Sequence, residues 1–170
     1  RHGEQPILEF PLEGEALKHL AEEARHAHFF RRAAEKAAGR SLGYGPEDAL
    51  APWSARMYME RLDAALTKRL AGDRALAYRY VTLAVELRAQ WFYDLYQEVL
   101  SAEEMPLSLK SVLAEEDAHL EEMQGSLENA DPLYEARRME FAGVEAGLFG
   151  KWFAAMRQGL LKSGAKDGAG

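Results

Sequence analysis

The sequence predicts an all-α protein, an antiparallel four-helix bundle with one additional helix. Apolar residues recur three and four apart through five long stretches, the spacing of one helix face. Glycine or proline punctuates the breaks between them, and no stretch alternates apolar and polar residues as a half-buried strand does. The chain contains neither an internal repeat nor a low-complexity segment.

Taken in order, residues 1–11 hold two prolines and no period, which reads as an extended lead-in. The first helix runs from Glu13 to Ala38, and Gly39 is its expected stop. Residues 40–51, with Gly43, Gly45 and Pro46, form a loop. Pro52 opens a second helix that reaches Ala71 just before Gly72; its apolar stripe is Ala55, Tyr58, Met59, Leu62, Leu66 and Leu70. Asp73 caps a third helix ending near Leu100, a span of roughly 40 Å. After the turn of residues 101–106 a fourth helix continues to about Glu128, and Asp131-Pro132 starts a fifth that reaches Leu161. One domain therefore covers residues 1–161, and the small, polar residues 162–170 read as a disordered tail.

Composition narrows the classes of partner. Of the 170 residues, 48 % are hydrophobic, enough for a sizeable core. The 28 acidic and 21 basic residues leave a net charge of −7 with no basic block to track a phosphate backbone, so no nucleic-acid partner is expected. No apolar run approaches the roughly 20 residues that span a bilayer, and the N-terminal residues lack a signal-peptide pattern, so no membrane association is expected either. The absence of cysteine fits a cytoplasmic protein and restricts any metal site to oxygen and nitrogen ligands.

The anomalies lie on faces that should be greasy. In the fourth helix Leu109, Val112, Leu113, Glu116, His119, Leu120 and Met123 share one stripe, apolar except at Glu116 and His119. In the first, a mostly small or apolar face carries His19, Glu23 and His26. Burying a carboxylate is costly unless something cationic meets it, and a metal ion is one answer. Glu23 with His26, and Glu116 with His119, each form an ExxH pair whose members sit about 60° apart around the helix. In the third helix Glu86 occupies the least polar surroundings of any acid there. Measured from the turn near Ala102, Glu86 and the Glu116/His119 pair lie at the same depth of an antiparallel hairpin.

Glu23, His26, Glu86, Glu116 and His119 together resemble the ligand set of the ferritin-like di-iron carboxylate superfamily. Those four-helix bundles take one Glu from each of two helices and an ExxH motif from each of the other two. The resemblance implies a ferritin-like bundle holding two metal ions, iron or a manganese–iron pair, with glutamates bridging or terminal and each histidine on one metal. The ligand types alone also suit zinc or manganese. The pattern calls for one more inward Glu. Glu60 lies about 160° from Leu62, the middle of its helix's apolar stripe, and should face water. Glu145 is flanked at helical spacing by Phe141, Ala142, Leu148, Phe149 and Trp152, which makes it the candidate sixth ligand. A competing account places the first bundle helix upstream of Arg1 and leaves Glu145 as a core acid paired with Arg137 or Arg138.

By the same resemblance the expected activity is that of an oxidoreductase that activates dioxygen or peroxide and oxidises a small organic substrate. Ferroxidase or peroxide-scavenging chemistry is the alternative within the superfamily. A non-catalytic helical interaction module, its buried acids paired with Arg25, Arg79 or Arg88, is the alternative from another class. His19 reads either as an orienting partner of a ligand or as a core histidine, and Gln90 and Tyr93 as pocket lining or plain core. Phe149, Trp152 and Phe153 read as bundle packing or as a homodimer contact.

Overall fold

The computed structural model describes residues 14–105 and 107–167; the expected lead-in and the last residues of the expected tail lie outside them. Five α-helices and one 3₁₀ turn account for most of that chain: α1 (Gly14–Ala38), the 3₁₀ turn (Pro46–Asp48), α2 (Pro52–Arg69), α3 (Arg74–Ala102), α4 (Lys110–Ala130) and α5 (Tyr134–Asp167). No strand occurs among the described residues, and none of their helices is long and apolar enough to cross a membrane. The chain divides into two compact units, Arg1–Gly43 and Tyr44–Gly170.

In the first unit α1 ends where Gly39 takes a positive φ of 65°, and the Gly39 N–H closes the last turn on the Glu35 carbonyl at 3.0 Å. Glu35 then ties down the following loop by accepting from the Leu42 N–H at 3.1 Å and the Ser41 hydroxyl at 3.3 Å. The Leu42 N–H first, and then Arg31, Ser41 and Arg32, hold the Glu35 carboxyl below the ordinary glutamate value against a smaller opposing effect of burial.

The second unit is built from α2 to α5. Tyr58, Leu62 and Leu66 recur every four residues down one side of α2, Leu70 continues the row just past its end, and all four are buried. Fully burying a leucine such as Leu62 or Leu66 contributes about 1.5–3 kcal/mol. Ala77, Tyr80, Val81 and Leu83 of α3, Leu120 and Leu127 of α4, and Phe141 and Phe149 of α5 join them in one core. As expected, Asp73 caps α3, its side chain accepting from the Leu76 N–H at 3.0 Å, and the α2–α3 turn passes through two positive-φ residues, Ala71 at 53° and Gly72 at 87°.

Cross-helix contacts fix the directions. Tyr58 lies against Trp152 while Arg69 reaches Glu140, so α2 and α5 are antiparallel. Tyr80 lies against Phe141 and Trp91 against Phe149, so α3 and α5 run the same way. With α3 and α4 antiparallel, the four helices alternate up and down through short links. The polar tail residues do not end the last helix at Leu161: α5 runs on to Asp167, since no proline interrupts it there.

One buried polar cluster pins the α4–α5 turn. Asp131 accepts from the Tyr80 hydroxyl at 2.6 Å, from Arg137 Nη1 at 2.8 Å and from the Leu133 N–H at 3.0 Å. Burial works to raise its pKa, but Tyr80, Leu133 and Arg137 together hold it below the ordinary aspartate value. A depressed folded-state pKa stabilises fully above the unfolded value of about 3.9 and is lost as the pH falls through the folded one. Asp131→Asn is therefore expected to cost about 1–3 kcal/mol at neutral pH. In urea unfolding its deficit should shrink at about pH 2.5; an unchanged deficit would contradict the assignment.

Candidate metal centre

In the second unit the anomalous side chains are buried. Glu116 has no exposed surface, Glu86 is 5 % exposed and His119 is 8 % exposed. Glu116 and His119 share the α4 stripe with the buried Val112 and Leu120, as helical spacing requires. Glu86 sits one turn beyond Leu83, on a helix whose buried positions are otherwise apolar or aromatic.

Three hydrogen bonds set the register between α3 and α4. Gln97 Oε1 accepts from the Leu109 N–H at 2.6 Å, the Gln90 amide donates to Asp117, and Arg79 donates to the Ser126 hydroxyl. All three pairs belong to one antiparallel alignment, in which Glu86 lies level with residues 119–121. Glu86, His119 and, one turn away, Glu116 thus occupy the same depth of the α3–α4 pair. Gln90, read from the sequence as pocket lining or core, is instead a strut of this alignment.

In the first unit Glu23 and His26 lie one turn apart on α1, with His26 Nδ1 3.4 Å from Glu23 Oε1. His26 is buried, while Glu23 and His19 are half-buried. The described residues therefore include buried histidine and glutamate side chains that can hold a metal ion, His26, Glu86 and Glu116 among them; His119 is buried as well but stands in none of the candidate ligand groups. The donor set fits such an ion. Carboxylate oxygens and imidazole nitrogens suit iron, manganese or zinc, and burial excludes competing water.

Glu145 has other company. It is buried, and its two oxygens accept from Arg88, Oε1 from Nε at 2.9 Å and Oε2 from Nη2 at 2.6 Å, while the Tyr58 hydroxyl donates to Oε1 at 2.9 Å. The guanidinium lies over Phe149, 4.2 Å from the ring centroid, with Trp91 at 5.1 Å. Burial, and then the Glu145 carboxylate, push the Tyr58 hydroxyl well above the ordinary tyrosine value, so it stays a donor. The arginine on Glu145 is thus Arg88 on α3. Arg137 serves Asp131, and Arg138 pairs with Glu135 on its own helix. Glu60 is exposed and paired with Arg56, as its place on α2 predicts.

Sequence reasoning missed Asp131, which read only as a helix-start signal. Its spacing from Arg137 carried the sole local hint of a buried acid with a partner. Comparison with models of protein families, with curated proteins and with solved structures finds no match for this chain.

Proposed function

We propose that this chain is a di-metal oxidoreductase of ferritin-like type, holding two iron ions or a manganese–iron pair through Glu23, His26, Glu86, Glu116 and His119. The supporting observation is Glu116: a carboxylate without exposed surface, three residues from a buried histidine and level with a second buried glutamate. The second ExxH pair, Glu23 and His26, enters this reading from the sequence. The metals, when bound, supply two-electron chemistry toward dioxygen or peroxide, directed at a small organic substrate.

The chain's own residues have separate tasks. Glu116 and Glu86 would each offer carboxylate oxygens, His119 and His26 would offer one nitrogen each, and the burial of all four side chains limits access of water. Glu145 is assigned to Arg88 and Tyr58 and stands outside the ligand set. That ion pair is the observation favouring the second reading, a metal-free helical interaction module, because it shows the fold satisfying one inward acid with an arginine.

Metal analysis by mass spectrometry after anaerobic reconstitution with ferrous iron separates the two readings. About two ions per chain are expected, falling to below one in Glu116→Ala. Oxygen uptake by the reconstituted protein should fall with them. A chain that retains no metal after reconstitution would leave the module reading.

A further inference from the structure

A second feature of the Tyr44–Gly170 unit lies between α2 and α5. Trp53, Ser54, Met57, Tyr58 and Arg61 follow one another at helical spacing on α2 and face Leu148, Lys151 and Trp152 of α5 across a cleft of about 220 Å³. Its walls are aromatic. The Tyr58 and Trp152 rings are 5.1 Å apart and tilted by 31°, and Trp53 is 72 % exposed. The Tyr58 hydroxyl is committed to Glu145, so Tyr58 gives the cleft a ring rather than a polar group. The Trp152 indole N–H is buried and has no acceptor among the described residues. Such a donor costs about 1–3 kcal/mol until something accepts from it.

Charge decides what the cleft would take. It is lined by two cations, Arg61 and Lys151, and by no carboxylate, in a chain where acids outnumber bases by 28 to 21. Neither cation has an anionic partner among the described residues. The acids next to lining residues are already engaged, Glu60 by Arg56 and Glu145 by Arg88. A neutral apolar ligand would leave both cations unused, and a cationic one would be repelled. An anion with a flat apolar body satisfies walls and rim together.

We propose that this cleft binds a small aromatic carboxylate of one or two rings. The ring lies against Trp53 and Trp152, and the carboxylate meets Arg61 and Lys151. Guanidinium and carboxylate match as planar partners, and the ammonium adds a second charge. The residues involved are separate from the metal ligands, so the assignment does not depend on how the metal question is answered.

The test is titration of the full chain with 2-naphthoate, followed by calorimetry and by the indole N–H signals of its three tryptophans. Saturable binding below about 1 mM is expected, with Trp53 and Trp152 signals shifting and Trp91, on α3, nearly still. Arg61→Gln with Lys151→Gln should weaken naphthoate at least about fivefold. Neutral 2-naphthalenemethanol should bind more weakly to the native chain and be unaffected by the pair of substitutions. Both cations are exposed, so the variant should fold, which far-ultraviolet circular dichroism checks. Absence of saturation, equal affinity in the doubly substituted chain, or a response at Trp91 instead would each overturn the proposal.

Discussion

Arg88→Ala is expected to destabilise the second unit by about 3–5 kcal/mol, read as a fall in the urea midpoint, toward the lower figure because the guanidinium is partly exposed. The loss would come from what is left behind. Glu145 is 4 % exposed, and without Arg88 its carboxylate would keep only the Tyr58 hydroxyl. Phe149 and Trp91 would also lose the cation that lies over their rings. Glu145→Leu with Arg88→Met should recover most of the stability, because replacing both charges removes the desolvation cost along with the attraction. A double variant as unstable as Arg88→Ala alone would mean that the pair is a net stabiliser through its geometry. Glu145→Gln carries a further consequence: it should lower stability while leaving metal content unchanged. Loss of metal in that variant would restore Glu145 to the ligand set and count against its assignment to Arg88.

Helix boundaries were legible because their signals are local. Gly39, Gly72 and Asp73 act on backbone groups within a turn of themselves, so spacing and residue type sufficed. The depth of Glu86 against His119 was legible for a related reason: a single short turn separates α3 from α4, and counting outward from it is nearly a measurement. Partners that meet across distant stretches were not. Arg88 and Glu145 are 57 residues apart, and Tyr58 and Glu145 are 87 apart. Helical periodicity says that Glu145 faces inward but not which helix faces it, so the acid read as a ligand in want of a metal. Asp131 shows the converse. Its turn-forming chemistry was visible, whereas its burial beneath Tyr80 followed only from how α3 runs past the α4–α5 turn.

Loading the protein anaerobically with ferrous iron at about a thousandfold excess over its dissociation constant is expected to stabilise the folded state by about 4 kcal/mol. For a chain of this length that corresponds to a rise in melting temperature of roughly 8–16 °C. His119→Ala should abolish most of that rise, because a lost nitrogen ligand weakens the site. Glu116→Leu should likewise erase the response to iron, because it removes from the proposed ligand set a carboxylate with no exposed surface. A purely structural acid behaves differently: iron would have no effect with or without it. Scanning calorimetry of four samples, native and Glu116→Leu with and without iron, therefore discriminates between a metal ligand and a core ion pair. A full temperature rise retained in His119→Ala would place the metal away from α4.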